Sequence, residues 1–379
     1  MTNLRSQAWA FPAHDMAPRT LLGPGPDMVH PRVMAAMSAP LLGHLDPDFL
    51  ALIEHTQHLL RYVFQTENRL TLPVSGTGSA GMEAAVASLV EPGDHVLVCV
   101  NGYFGGRIAE MARRHGGEVE TIERPWGEVF SADEVREALQ RRRTRVVAIV
   151  HAETSTGALQ PLEDIVRVVH EHDALLIVDA VTSLAGVPLR VDEWGLDVVY
   201  SGTQKCLGCP PGLSPVTVGQ RGEEKIAARS TAIDTWYLDL SLLQRYWGPE
   251  HTYHHTAPIS LNFALYEALR MVAEEGLEAR WERHSQNAAL LWEGLEELGL
   301  RLHVPLEHRL PSLTAVRIPE GVDDAGVRAR LLRDYRIEIG GGLGTLKGRV
   351  WRIGLMGDSS HRGNVELLLG ALRRILHEP

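Results

Sequence analysis

The stretch Val198-Val199-Tyr200-Ser201-Gly202-Thr203-Gln204-Lys205 decides the fold. Its apolar start predicts a short buried strand over Val198–Tyr200, after which small residues lead to a lysine at the edge of a sheet. Such a lysine packs poorly but is well placed for amine chemistry. An amine attacks a carbonyl only when it is neutral, so the pKa of a catalytic lysine, about 10.4 in water, must be lowered by burial or by neighbouring charges.

A carboxylate ends the preceding predicted strand. The run Ala174-Leu175-Leu176-Ile177-Val178-Asp179 places Asp179 at the carboxyl end of that strand, where open α/β sheets bind their ligands. An aspartate and a lysine in this order suggest pyridoxal phosphate (PLP), because a carboxylate keeps the pyridine nitrogen of that cofactor protonated. Asp179 is also suited to cap a helix over Ala180–Leu184, and that structural interpretation stays open.

A glycine-rich loop predicts a phosphate site. The run Val74-Ser75-Gly76-Thr77-Gly78-Ser79-Ala80-Gly81 follows a predicted strand and begins a helix, where backbone N–H groups and the hydroxyls of Thr77 and Ser79 bind an anion. The same small residues would also allow the helix to pack closely on the sheet, so a purely structural role stays open. The spacing also matches G-x-G-x-x-G, but a dinucleotide site needs an acid at the end of the second strand, which here is Val100-Asn101-Gly102. A nicotinamide cofactor is therefore the weaker alternative.

The rest of the chain predicts an α/β fold with a mostly parallel, seven-stranded sheet. Between about 50 and 240, amphipathic helices alternate with short strands that are often apolar on both faces, as a covered parallel sheet requires. After about 260, long helices, two strands and the loop Gly340-Gly341-Gly342 predict a smaller α+β unit. At 379 residues the chain exceeds the roughly 250–300 at which one core stops growing. We expect an N-terminal arm (1–20), a large domain (21–260) and a small C-terminal domain (261–379). The seven predicted strands are Leu70–Val74, His95–Val100, Val119–Ile122, Val146–Val150, Leu175–Val178, Val198–Tyr200 and Pro215–Val218.

Composition excludes several classes of partner. The net charge of −11 argues against a nucleic acid or an anionic membrane, since both demand a basic face. Cys99, Cys206 and Cys209 are too few for a disulfide framework, so we expect a reducing compartment, the cytoplasm. Residues 1–19 lack a continuous apolar stretch, so we expect no signal peptide. Cys206 and Cys209 form a lone C-x-x-C, for which no second ligand pair lies at zinc spacing. We expect no metal site, and we expect the side chains of His254 and His255 to point apart.

With these residues in hand, the chain resembles the class V (fold type I) PLP aminotransferases, and within them the alanine–glyoxylate / serine–pyruvate group. The resemblance covers nearly the whole chain. The motifs that carry it are Leu22-Gly23-Pro24-Gly25-Pro26, Thr154-Ser155-Thr156-Gly157, Ser201-Gly202-Thr203-Gln204-Lys205, Tyr253-His254-His255-Thr256 and Trp351-Arg352-Ile353-Gly354-Leu355.

The resemblance implies a role for each matching residue. Lys205 would bond to the cofactor and shuttle the proton, and Asp179 would pair with the pyridine nitrogen. Val181 and Phe104 would cover the two faces of the ring. Contacts to the phosphate would come from Thr77, Gly78, Ser79 and Gln204, and from Tyr253 and Thr256 of a neighbouring subunit, which makes the active unit a homodimer. Thr154 would touch the ring or the substrate, Arg352 would bind the substrate carboxylate, and Gly25 would line the substrate pocket.

The resemblance implies a ping-pong transamination between a small amino acid, alanine or serine, and a 2-oxo acid, glyoxylate or pyruvate.

Two residues depart from the animal enzymes, which have a histidine in place of Ser79 and a tryptophan in place of Phe104. A class V lyase such as a cysteine desulfurase is the alternative, but it needs a mobile cysteine in the small domain. All three cysteines here precede residue 210. No second arginine is obviously placed to bind a side-chain carboxylate, which disfavours aspartate or glutamate as the donor.

Overall fold

The structure, a computed structural model, describes residues 17–377. Most of the predicted arm, residues 1–16, lies outside the described residues. The described strands are β1 (Thr20–Leu21), β2 (Leu70–Ser75), β3 (His95–Val100), β4 (Glu118–Glu123), β5 (Val146–Val150), β6 (Ala152–Glu153), β7 (Ala158–Leu159), β8 (Leu175–Asp179), β9 (Val198–Tyr200), β10 (Leu213–Val218), β11 (Leu313–Arg317), β12 (Ile337–Glu338), β13 (Gly340–Gly341) and β14 (Val350–Gly354).

The described helices alternate with the strands in the first two thirds of the chain. They are α1 (Pro31–Met37), α2 (Pro47–Phe64), α3 (Gly78–Leu89), α4 (Tyr103–Arg114), α5 (Ala132–Arg141), α6 (Glu163–Glu171), α7 (Val191–Trp194), α8 (Gln220–Ala227), α9 (Leu240–Trp247), α10 (Ile259–Glu275), α11 (Leu277–Glu297), α12 (Asp324–Tyr335) and α13 (Arg362–His377). Short 3-10 turns lie at Leu306–His308, Gly344–Leu346 and Gly357–Ser359. None of the helices within 17–377 has both the length and the apolar character that a membrane crossing requires.

The central sheet has seven strands, as the sequence predicted, and their order is β2-β10-β9-β8-β5-β3-β4. Strand β10 runs antiparallel to both of its neighbours, and the pairs from β9 to β4 are parallel. The inner strands β5 and β8 are buried at every position, because helices cover both faces of the sheet. Strand β4 lies at the edge, and its exposed glutamates, Glu118 and Glu123, protect that edge from further pairing.

The parallel strands bring their carboxyl ends to one side of the sheet, and this side holds the site. Asp179, the last residue of β8, is in register with Val150 at the end of β5 and with Tyr200 at the end of β9. Helix α3 begins at Gly78, within the predicted glycine-rich run. The predicted phosphate loop therefore forms the first turn of that helix.

A second, smaller core lies in the C-terminal part of the chain. Strands β11, β14 and β13 form an antiparallel sheet, which packs with α11, α12 and α13 around Trp351. Leu22 lies in this same core, because β1 pairs in parallel with β12. Helix α10 packs instead against α1 and α2 of the sheet-containing unit. The predicted domain division at residues 260 and 261 stays a prediction.

Candidate active site

A cavity of about 110 Å³ lies at the carboxyl edge of the sheet. It brings together residues that are up to 128 positions apart, from Thr77 to Lys205. Nearly all of the predicted cofactor contacts of this chain line it, and the residues concerned are Thr77, Gly78, Ser79, Phe104, Thr154, Asp179, Val181, Gln204 and Lys205. Met82, Arg107, Val150 and Ala152 complete the lining.

Lys205 is buried, and its side chain lines the cavity. Burial, and then the positive charge of Arg352, lower the pKa of Lys205 to about 8. The Nζ atom donates a hydrogen bond to the backbone carbonyl of Pro24. A side chain at Gly25 would meet that same amine, since a Cβ there would lie 2.6 Å from Nζ. Gly25 also has a φ of +103°, a conformation that favours glycine.

Asp179 is buried beneath the cavity. Burial raises the pKa of Asp179 to about 6, while two hydrogen bonds to its carboxylate act in the opposite direction. The backbone N–H of Val181 donates to Oδ1 at 2.9 Å, and the hydroxyl of Tyr200 donates to Oδ2 at 2.9 Å. The carboxylate is therefore held rigidly and is ionised above a pH of about 6.

The loop before α3 offers donors to an anion. Thr77 is the N-cap of the helix, but its side chain makes no capping hydrogen bond, so its hydroxyl and the first N–H groups of the helix face the cavity without a cap. Arg107 lies beside this loop and donates from Nη1 to the Ser79 hydroxyl at 3.1 Å. The buried amide oxygen of Gln204 has no hydrogen-bond partner among the described residues.

These groups fit PLP. The uncapped helix N-terminus and Arg107 suit a phosphate dianion, the amine of Lys205 suits an aldehyde, and the buried carboxylate of Asp179 suits a protonated ring nitrogen. Between these ends, the apolar side chains of Val181 and Phe104 line the cavity where a flat ring needs cover.

Arg352 lies next to the cavity on β14. Its Nε donates to the carbonyl of Gly341 at 2.8 Å, and its Nη1 donates to the carbonyl of Thr154 at 3.2 Å. Burial lowers the pKa of Arg352 to about 10, so the guanidinium stays charged at neutral pH. Two backbone contacts thus fix a cation beside Thr154 and near Lys205, where it is available to a carboxylate.

Tyr253 and Thr256 do not line the cavity of their own chain. Both are exposed, and Tyr253 packs against the ring of His44 at 5.1 Å. The expectation that His254 and His255 point apart is wrong, because their Nδ1 atoms lie 2.8 Å from each other. The backbone bends at His255 rather than staying extended, which turns both rings to one side.

Three residues of the site escaped the sequence interpretation: Arg107, Tyr200 and Glu153. Arg107 follows Phe104 by three positions on α4, so helical spacing indicates that both face the same way. It adds a positive charge beside the predicted phosphate loop. The sequence predicts Tyr200 only as the end of a strand. No sequence pattern marks Glu153, which is buried beside Thr154.

The cysteines are poorly suited to redox or nucleophilic chemistry. Cys99, Cys206 and Cys209 are all free and buried. Burial raises the pKa of Cys206 to about 11 and raises the pKa values of the other two still further. Each thiol is therefore protonated at neutral pH. Within residues 17–377, no group of three or more His, Cys, Asp or Glu side chains is arranged to hold a metal ion.

Comparison with known proteins identifies the class. The family model described as "Aminotransferase class-V" matches residues 34–356, and the chain belongs to this family of PLP-dependent enzymes. It is therefore an aminotransferase.

Its similarity to individual proteins covers almost the full chain. It is 41% identical to the (S)-ureidoglycine–glyoxylate transaminase of Bacillus subtilis, over 94% of this chain and 90% of that protein. It is also 41% identical to the alanine–glyoxylate aminotransferase of Mus musculus, over 94% and 87% of the two chains. The crystal structure of the alanine–glyoxylate aminotransferase from Nostoc sp. superimposes with a TM-score of 0.96 at 55% identity, over 98% of each chain.

Proposed function

We propose that this enzyme transfers the amino group of a small L-amino acid, alanine or serine, to glyoxylate or pyruvate. The observation that carries the proposal is the cavity in which Lys205, Asp179 and the loop before α3 converge, with Arg352 at its margin. The names of the Mus musculus and Nostoc relatives support glyoxylate as the acceptor. The B. subtilis relative, named for ureidoglycine, makes (S)-ureidoglycine a donor that must be tested beside alanine and serine.

Three residues of the chain have separate roles in the proposed reaction. PLP, when bound, supplies an aldehyde for the amino group and a ring that accepts electrons. Lys205, which is neutral above a pH of about 8, removes the proton from Cα of the substrate. It then gives the proton back at a different atom, which completes the transfer of the amino group. Asp179 would pair with the ring nitrogen of the bound cofactor and keep it protonated. Arg352 binds the substrate carboxylate through parallel hydrogen bonds, which orients Cα toward Lys205.

Further contacts hold the cofactor and the substrate. We assign the phosphate to Thr77, Gly78, Ser79 and Gln204, and the two ring faces to Val181 and Phe104. Thr154 would contact the ring or the substrate, and Gly25 would leave space for the substrate beside the amine of Lys205. Ser79 has a shorter side chain than the histidine of the animal enzymes, and Arg107 adds a positive charge beside its hydroxyl. Phe104 has a smaller ring than their tryptophan and lines the same cavity.

Substrate half-reactions test the proposal. The PLP-loaded enzyme is mixed with alanine, serine, glycine, (S)-ureidoglycine or glutamate, and the absorbance of the cofactor is followed through a single turnover. We expect the fastest change with alanine or serine. Steady-state plots against glyoxylate should give parallel lines, because the first oxo acid leaves before the acceptor binds. A preference for glutamate, or release of sulfide from cysteine faster than transamination, would overturn the proposal.

The active unit in this proposal is a homodimer in the cytoplasm. Support for the dimer comes from Tyr253 and Thr256, which are exposed yet belong to a segment anchored beside the phosphate loop by a 2.6 Å hydrogen bond between His255 and Ser75. Support for a reducing compartment comes from the free cysteines. Mixing Lys205→Ala with Tyr253→Ala subunits tests the dimer, because the mixed dimer has one site with both residues. Restored activity is expected. Mixed dimers without activity would contradict the shared site.

A further inference from the structure

Helix α4 begins without a cap of its own. Its N-cap residue is Gly102, which has no side chain, and the first N–H groups of any helix need partners from outside it. The buried carboxylate of Glu153 provides them from β6, about 50 residues further along the chain. Its Oε2 atom accepts hydrogen bonds from the backbone N–H of Phe104 at 3.2 Å and from that of Gly105 at 3.4 Å.

The other oxygen of Glu153 completes the cap through a neighbour. Oε1 accepts from the backbone N–H of Ser155 at 3.0 Å and from its hydroxyl at 2.6 Å. The same hydroxyl accepts a hydrogen bond from the N–H of Tyr103 at 2.9 Å. All three of the first N–H groups of α4 therefore end on Glu153, directly or through Ser155. A Cβ at Gly102 would lie 2.2 Å from Cγ of Glu153, so only glycine leaves room for this carboxylate.

The two segments joined in this way are the ones that carry the proposed ring contacts. Phe104 lies in the first turn of α4, and Thr154 lies between Glu153 and Ser155. The carbonyl of Thr154 also accepts the hydrogen bond from Arg352. We propose that Glu153 is a positioning residue, which sets the spacing between Phe104 and the Thr154 segment and so shapes the cofactor cavity. This inference rests on the proposed function of that cavity.

A carboxylate, rather than an amide, is required at this position. Each of the contacts to Glu153 comes from a donor, so the amino group of a glutamine would face N–H groups and leave one of them unpaired. The N-terminus of α4 also favours negative charge. Burial raises the pKa of Glu153 to about 7, against the hydrogen bonds from Ser155 that lower it. The donors around Glu153 all match an ionised carboxylate, so their hydrogen bonds limit the rise that burial causes.

The variant Glu153→Gln tests the inference, with Glu110→Gln as the matched control. Glu110 lies on the same helix, is exposed, and pairs only with Arg114 at 2.9 Å among the described residues. The first measurement is hydrogen exchange, in the PLP-free protein, of peptides that contain residues 103–105. The second is the dissociation constant of PLP, with the circular dichroism of the bound cofactor as a report on ring orientation.

For Glu153→Gln we expect exchange at 103–105 to be faster by about 10- to 100-fold, PLP binding to weaken by about tenfold, and the dichroic band to change. Glu110→Gln should match the parent protein in all three. Parent-like exchange and PLP affinity in Glu153→Gln would overturn the inference. Faster exchange with unchanged PLP affinity would also overturn it, because the cap would then be structural only.

Two further measurements keep the test decisive. If Glu153→Gln does not fold, Ser155→Ala removes only the bridge to Tyr103, and we expect faster exchange at 103 and about threefold weaker PLP binding. Unchanged values in a folded Ser155→Ala protein would overturn the inference. If the parent protein does not bind PLP, both the proposed function and this inference fail. If the parent binds PLP and Glu153→Gln binds it equally well, only this inference fails.

Discussion

The hydroxyl of Tyr200 donates a 2.9 Å hydrogen bond to Oδ2 of Asp179, and the two residues are register partners at the ends of adjacent parallel strands. Both side chains are buried. Burial raises the pKa of Asp179, and this hydrogen bond, together with the one from the N–H of Val181, restrains the rise. The tyrosine therefore favours the ionised form of Asp179, the carboxylate that we propose holds the proton of the cofactor ring.

Replacing Tyr200 with phenylalanine should move the acidic limb of the pH profile to higher pH. The hydrogen bond favours the ionised form of Asp179, and its loss raises the pKa of that carboxyl. Hydrogen bonds to charged groups contribute about 1.5–3 kcal/mol, so the limb should move by about one pH unit, and kcat/KM at pH 6 should fall by about fivefold.

The matched control for this prediction is Tyr246→Phe. Tyr246 is also buried, but its hydroxyl bonds to the carbonyl of His44 at 3.1 Å, away from the cavity. Its pH profile should match that of the parent enzyme. If Tyr200→Phe and Tyr246→Phe give the same profile as the parent, the hydroxyl does not control the ionisation of Asp179.

Lys205→Ala should abolish both covalent attachment and turnover. After reduction with borohydride and digestion, the parent protein should carry the cofactor mass on the peptide that contains Lys205, and the variant should carry none. Turnover should fall by at least about 10³-fold, because the base and the nucleophile are lost together. The exposed Lys347 provides the control Lys347→Ala, which should behave as the parent. An adduct on another lysine would contradict the assignment.

The rate of PLP incorporation into the cofactor-free protein should rise with pH through about 8. Lys205 must lose a proton to attack the aldehyde, and burial together with Arg352 lowers its pKa to about 8. Removing the positive charge in Arg352→Gln raises the pKa of Lys205, so the midpoint of the rate profile should shift to higher pH. The exposed Arg349 provides the control Arg349→Gln. An identical midpoint in Arg352→Gln would show that the two charges are not coupled.

Arg352→Lys should weaken substrate binding more than it slows the chemical steps. Lysine keeps the charge but loses the planar pair of N–H donors that a carboxylate accepts. It also loses the contacts by which Arg352 is fixed to Gly341 and Thr154. We expect KM for the amino donor to rise by about 10- to 100-fold and kcat to fall by less. A large fall in kcat at constant KM would instead place Arg352 in the chemistry.

Asp27 should make the protein less stable as the pH rises. Burial raises the pKa of Asp27 well above its ordinary value, and neither carboxylate oxygen has a hydrogen-bond partner among the described residues. The folded state then binds a proton that the unfolded chain releases near pH 4. This contribution to stability is complete below pH 4 and is lost as the pH rises through the folded pKa, by up to about 1.4 kcal/mol per pH unit.

The measurement is chemical unfolding of Asp27→Asn and of the parent protein at several pH values between 4 and 8. Asp27→Asn should remove this part of the slope, so that its stability relative to the parent increases with pH. Asp133→Asn, at an exposed position on α5, is the control and should leave the slope unchanged. Parallel curves for Asp27→Asn and the parent would mean that Asp27 titrates normally.

The sequence by itself determined the seven strands of the central sheet and which chemically active residues lie near their ends. The strand Val146–Val150 was predicted with its observed bounds, and Asp179 and Lys205 were found because each follows a short apolar run that is buried on both faces. Such runs are local, and burial of a parallel sheet imposes them residue by residue. The order of loop, aspartate and lysine then sufficed to indicate PLP.

Only the tertiary structure decided which distant residues support that chemistry. Periodicity does not reveal that β10 enters the sheet antiparallel between β2 and β9, because a strand apolar on both faces looks the same in either direction. Nor does it reveal that Glu153 caps α4. The donors of this buried carboxylate lie on another segment of the chain, and only tertiary packing brings the two segments together. The free energy of such contacts depends on distance in space rather than on separation along the chain.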